Sequence, residues 1–107
     1  MTKATALKQI LKREITLMDV PHQLQTIEII MAGVKNNGMM LKYALIQNPK
    51  IVQVACGSAP NAIAFANYIG PELEPLLIKL KKTHPEVLQR LNPKVFSSPA
   101  LYIQYCS

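Results

Sequence analysis

The sequence predicts an all-α fold assembled from short helices, and three observations predict it. The first is an internal echo. Ile29-Ile30-Met31-Ala32-Gly33-Val34 followed by Leu41-Lys42-Tyr43-Ala44 returns as Ile51-Val52-Gln53-Val54-Ala55-Cys56 followed by Ile63-Ala64-Phe65-Ala66, always 22 residues later. A fixed period of this size marks stacked helical units that bury their apolar faces on one another. The second is the placing of the eight prolines, several of which follow a capping or turn residue: Asn48-Pro49, Gly70-Pro71, Asn92-Pro93 and Ser98-Pro99. Proline fits the first turn of a helix and breaks its interior, so this punctuation reads as a series of helix starts. The third is that no strand–turn–strand pattern appears. Together these predict two helix-turn-helix units, at about residues 27–46 and 49–69, flanked by an N-terminal helix and by C-terminal helices. The whole chain, 1–107, reads as a single helical domain, either a short α-solenoid or a compact bundle.

The elements follow in order. A first helix is expected over about residues 2–18, with Leu7, Ile10, Leu11, Leu17 and Met18 on one face. Asp19 then caps a second helix with Pro21 in its first turn, carrying Leu24, Ile27, Ile30, Met31 and Val34. Asn36-Asn37-Gly38 stops it, with Asn37 or Gly38 in the left-handed conformation. A short helix follows from Met39 to about Ile46. In the second unit Asn48 caps, Pro49 opens, Ile51 to Cys56 supply the face, and Ser58-Ala59-Pro60 replaces the Asn-Gly stop. A helix with Ile63, Phe65, Ala66 and Tyr68 ends at Gly70. Ala44 and Ala66 are equivalent small residues that permit close approach. Leu73, Leu76, Leu77 and Leu80 then mark an amphipathic helix, and Thr83-His84-Pro85-Glu86 has the form of a capping box before Val87, Leu88 and Leu91. Leu101-Tyr102-Ile103-Gln104-Tyr105 reads equally as a last helical turn or a short strand.

Half the residues are hydrophobic, enough for a core rather than a disordered chain. No apolar run approaches the roughly 20 residues that span a bilayer. Lys3, Lys8, Lys12 and Arg13 interrupt any signal-peptide core, so a cytoplasmic protein is expected, with delivery into a host cell left open. Cys56 and Cys106 read as free thiols of a reducing compartment, Cys56 as a core residue and Cys106 near a fraying end.

Nothing in the sequence composes a catalytic centre, and no cofactor or metal is expected. His22 and His84 have no ligand partners at metal-binding spacing. The four glycines are isolated, so no phosphate loop exists, and Glu72 and Glu74 fit the first turn of a helix, where the dipole favours them. Twelve basic against six acidic side chains give a net charge of +6, which raises nucleic acid as a partner. The cations singled out for such contact are Lys8, Lys12, Arg13, Lys79, Lys81, Lys82 and Arg90. No aromatic residue interleaves with the lysines, so base stacking is not indicated. Tyr43 and Phe65, at equivalent positions, read as core or inter-unit packing, and Met39-Met40 as gap filler.

Residues 28–44 and 50–66, with "LKYA", "NPKIVQVA" and "AIAFA", resemble the repeat family called domain of unknown function 4116, whose iterated unit joins a helix, an Asn-Gly turn and a second helix ending in a small residue. Ala59-Pro60 stands where the second Asn-Gly belongs, and two units are visible where that family often shows more. The resemblance implies a host-facing or effector-type protein of an intracellular bacterium or virus and no particular activity. The expectation is therefore a non-enzymatic helical module that binds a protein partner; the alternative is a small basic nucleic-acid-binding protein. A monomer is expected, with a weak homodimer through the tail, residues 101–105, as the other version.

Overall fold

The computed structural model describes residues 1–106. Six α-helices, α1 (Lys3–Leu11), α2 (Ile27–Asn36), α3 (Pro49–Ser58), α4 (Glu74–Thr83), α5 (Pro85–Gln89) and α6 (Pro99–Cys106), alternate with 3-10 helices at Leu17–Asp19, His22–Leu24, Gly38–Tyr43, Pro60–Phe65, Pro71–Leu73 and Pro93–Val95. Among the described residues no strand forms, and β pairing is limited to a single parallel bridge between Ile69 and Phe96. The chain is all-α.

Two rows of helices make the body. On one side α1 lies on α2 and α2 on α3; on the other, Leu17–Asp19, Gly38–Tyr43, Pro60–Phe65 and α5 each touch the next. The result is longer than it is wide, 44 × 23 × 19 Å. The echo in the sequence is an echo in space. α2 and α3 each run ten residues and start 22 apart, at Ile27 and Pro49; the 3-10 helices behind them each run six and start at Gly38 and Pro60. The paired positions Ile29/Ile51, Ile30/Val52, Val34/Cys56 and Leu41/Ile63 are all buried. Burying each such aliphatic side chain contributes about 1.5–3 kcal/mol, so these pairs hold the two units together. Thr26 and Asn48 cap the helices alike, each side-chain oxygen accepting from the amide three residues on, Ile29 N and Ile51 N.

Several sequence expectations are corrected. α1 ends at Leu11 and does not reach Met18. Arg13 takes φ 61°, Arg13 N donates to Ile10 O and Glu14 N to Gln9 O, a Schellman-type stop without glycine. Thr16 and Asp19 then form a capping box around Leu17–Asp19, which buries Leu17 and leaves Met18 and Leu11 exposed. Asp19 is thus engaged with Thr16, and Thr26, not Asp19, caps α2. Neither Asn37 nor Gly38 is left-handed: Asn37 is extended (φ −152°, ψ 104°), its side chain accepting from Met39 N. The second helix of each unit is a 3-10 helix that stops at Tyr43 or Phe65, and Gly70 terminates neither. Gly38 and Leu41 are the buried residues of the first of these 3-10 helices, and Ala62 and Ile63 those of the second. Ala44 and Ala66 therefore sit in the extended residues after these helices, not inside paired helices. Thr83–Glu86 makes no capping box: Thr83 Oγ1 donates back to Lys79 O, and His84 gives α5 no side-chain cap.

The echo fades in sequence beyond Gly70 but the plan continues. α4 again runs ten residues and α5 follows after one non-helical residue, His84 (φ −143°, ψ 62°). The offset has grown from 22 to 25 residues (49 to 74, 60 to 85), because Pro71–Leu73 adds a turn. The tail is helical and has a partner within the chain. α6 packs on α4 and α5, Tyr105 Oη donates to Glu74 Oε1 at 2.7 Å, and Tyr102 meets Phe96 edge-on with centroids 5.4 Å apart.

Candidate functional site

The residues that organise the surface are two glutamines. Gln25 Nε2 donates to Tyr43 O (3.0 Å) and Val20 O (3.3 Å), while Gln25 Oε1 accepts from Leu45 N (2.8 Å). Twenty-two residues on, Gln47 Nε2 donates to Phe65 O (2.9 Å) and Gln47 Oε1 accepts from Asn67 N (2.9 Å). A carbonyl on one side and an amide on the other leave no ambiguity about which end of each carboxamide is which. Each glutamine ties the entry of a unit to its exit. At the next equivalent position stands Ile69, and the backbone does the same work: Ile69 N donates to Val95 O and Ser97 N donates to Ile69 O, both at 2.8 Å. A carboxamide presents the donor and acceptor of a peptide group, so side chain and main chain substitute for one another here.

These ties draw the links between helices alongside each other. Gln25, Ala44, Ala66 and Phe96 all have extended backbone. Over the links lies a hollow of about 400 Å³, lined by Lys42, Ala44, Gln47, Ala64, Phe65, Ala66, Asn67, Asn92 and Val95. Its floor is apolar, from Ala44, Ala66, Val95 and half-buried Phe65, with exposed Ala64 at the edge. Its rim is polar, from exposed Lys42, Asn67 and Asn92. The Lys42 ammonium sits 5.1 Å from the Tyr43 centroid and 5.6 Å from that of Phe65, held between the aromatics of the two units. Beside the hollow the links carry the exposed apolar side chains Leu45, Ile46 and Tyr68.

The seven cations named from sequence are all exposed, and they fall into two groups. Lys8 lies on α1 and Lys12 caps its C-terminal end, the two lining a hollow with Thr5, Gln9 and Glu14, and Arg13 is the residue that turns the chain out of that helix. Lys79, Lys81 and Lys82 lie on α4, and Arg90 follows α5. α1 packs on α2 at one end of the stack, while α4 and α5 pack on α6 at the other. Lys81 is engaged in holding α6: its Nζ donates to Gln104 O at 3.0 Å and stands 5.9 Å from the Tyr105 ring.

The groups with chemical potential lie elsewhere and are quiet. Cys56 and Cys106 are free and buried. Burial pushes the Cys56 thiol up to about 12. Burial also raises Cys106, with the Lys81 charge pulling the other way. A thiol held in the neutral form is a poor nucleophile. Cys56, Lys79 and His84 line a common hollow, but His84 Nδ1 lies 3.0 Å from Thr83 Oγ1. His22 is exposed on the turn before α2. No group of three or more metal-ligating side chains gathers among the described residues.

The sequence reading missed Gln25, Gln47, Lys42, Asn67 and Asn92. The signal for the first two was present: Leu24-Gln25 and Ile46-Gln47 keep the period of 22 that the apolar residues keep. Compared with known proteins, the chain matches no family model, no curated protein and no solved structure.

Proposed function

We propose that this chain is a non-enzymatic interaction module that docks a protein partner on the column of links between its units. The observation that carries the reading is the hollow over those links, drawn from successive segments of the chain: Lys42 and Gln47, then Phe65 and Asn67, then Asn92 and Val95. A surface assembled from consecutive units is what stacked helices offer a partner. An apolar floor with a polar rim and exposed apolar neighbours has the anatomy of a protein contact. The resemblance of residues 28–66 to effector-type repeats extends the proposal to a partner in a host cell.

The nucleic-acid reading draws its support from the charge of +6. Phosphate-backbone binding gains from several cations acting on one tract of backbone. The division of the seven named cations between α1 and the α4–α5 end favours the protein reading.

The test is selection of a displayed peptide library on the folded protein. Selected binders should lose affinity on Ala64→Trp, which fills the hollow without changing its charge, and keep it on Lys8→Glu and Lys82→Glu, which alter the two cationic ends. Binders indifferent to Ala64→Trp, or an empty selection beside tight binding of oligonucleotides, would remove the proposal.

A further inference from the structure

Within that reading, on which this inference rests, we propose that the hollow over the links recognises an extended acidic segment, one carboxylate side chain beside an apolar one. Lys42 is the cation among the lining residues, and no acidic side chain is among them. Its ammonium is held over two rings, so its position is set before a ligand arrives. A cation over aromatic faces keeps a positive end turned outward, and a pre-placed charge loses less side-chain entropy on binding.

The donors come next. The Gln47 carboxamide is committed at both ends, to Phe65 O and Asn67 N, so it builds the site and is not a ligand group. Asn92 Oδ1 accepts from Lys94 N, which turns the amide Nδ2 of Asn92 toward donation. The rim therefore offers Lys42 Nζ and the carboxamides of Asn67 and Asn92, a set rich in donors. Carboxylate oxygens are acceptors only, and charge-assisted bonds to them are roughly twice as strong as neutral ones. The floor of Ala44, Ala66, Phe65 and Val95 takes an apolar side chain next to that carboxylate. An extended ligand also suits links that are themselves extended.

A phosphodiester is the competing anion, and the site argues against it. One cation serves a single carboxylate, whereas a nucleic-acid tract is held by many phosphate contacts. Phe65 is half-buried beneath Lys42, so it offers no open face on which a base would stack.

The experiment is an amide-resolved NMR titration of the whole chain with a blocked pentapeptide carrying two glutamates around a leucine. Its glutamine and lysine counterparts and a short oligothymidylate are the comparison probes. The acidic peptide should bind about tenfold or more tightly than the glutamine peptide, the size of one well-placed charge interaction of about 1.4 kcal/mol. Shifts should centre on Lys42, Asn67 and Asn92. Lys42→Gln should bring the acidic peptide down to the level of the neutral one, and Lys42→Arg should restore it, with the unliganded spectrum otherwise unchanged in both. Equal binding of the three peptides, shifts centred on α1 or α4, or a preference for oligothymidylate overturns the inference. If library-selected binders still map to the hollow while the acidic preference is absent, docking on the links stands and the acidic specificity falls. If neither appears, both fall.

Discussion

The two central units pose a natural comparison, because they reach the same backbone at one junction by different chemistry. Asn37 (φ −152°, ψ 104°) and Ala59 (φ −146°, ψ 108°) are superimposable hinges between an α-helix and a 3-10 helix. At Asn37 the side chain holds the bend by accepting from Met39 N. At Ala59 the following Pro60 does it, since proline pushes the preceding residue into the extended region. The next residues differ for a reason that lies outside the unit. A Cβ on Gly38 would stand 2.0 Å from Ala55 O, because α3 comes down directly onto that turn; Ser58 Oγ also accepts from Gly38 N. At Pro60 the following α4 stands across a hollow of about 230 Å³, lined by Pro60 with Leu76 and Leu80. Local conformation thus repeats with the sequence period, while side-chain size is set by what stacks next.

The comparison breaks most forcefully at Gly38. Gly38→Ala places a methyl inside a backbone carbonyl's van der Waals shell, so it should cost about 3 kcal/mol or more, the upper range of overpacking. Gly57→Ala, at a helical glycine with open space around its Cβ, should instead stabilise by about 0.5–1 kcal/mol. Chemical denaturation of the two variants reads both signs. If Gly38→Ala proves neutral, the close approach of the units is wrong.

The glutamine ties come second. Gln25 is buried and bonds three backbone groups, so Gln25→Leu should cost about 2–3 kcal/mol through the unmet partners it leaves. Gln47 is half-buried and Asn67 exposed, so water replaces part of what Gln47→Leu removes and the loss should be about 1–2 kcal/mol. Hydrogen exchange at Leu45 and Asn67, the amides that the two carboxamides accept from, should quicken in the respective variants. Unchanged protection at both amides would show that the ties do not organise the links.

Pro60→Ala comes third. It frees a chain whose native φ proline already fits, and should cost about 0.5–1 kcal/mol, mostly through the unfolded state. Its midpoint in denaturant should fall while the slope stays fixed.

Cys56→Val gives the second unit the residue, Val34, that the first already has. A swap of similar volume should change stability by less than about 1.5 kcal/mol. Its value is in alkali. The folded thiol titrates near 12 against an ordinary 9.0, so the unfolded chain releases its proton first. The contribution of the neutral thiol is complete below pH 9 and is lost as pH climbs toward 12. Tyr105 acts in the same direction: its hydrogen bond to Glu74, then burial and the Glu74 charge, raise the phenol above 10.0. Cys56→Val should therefore lessen the alkaline loss of stability without abolishing it, and adding Tyr105→Phe should flatten it further. Unfolding midpoints measured from pH 7 to 11 test the sign.

The sequence by itself determined the helical class, the two units and the residues that pair across them, because an apolar pattern with a period of 22 can be buried only by stacking equivalents. It also set the caps at Asn48 and the proline starts, which act within a few residues. What it left undecided was settled by neighbours far along the chain. α1 is cut at Arg13, and the next turn buries Leu17 against Gly33, where a Cβ would lie 3.1 Å away. The second helices are six-residue 3-10 turns that bury Gly38 and Leu41 in one unit and Ala62 and Ile63 in the next, packed on each other and on α3. The seven named cations were legible as surface residues and their division between two ends was not, since position along a stack depends on packing order. Gln25 and Gln47 kept the period in plain view, yet nothing local distinguishes a surface glutamine from one whose carboxamide stands in for a peptide group. Only the tertiary structure, by bringing Tyr43, Leu45, Phe65 and Asn67 to them, makes these two side chains the fasteners of the links.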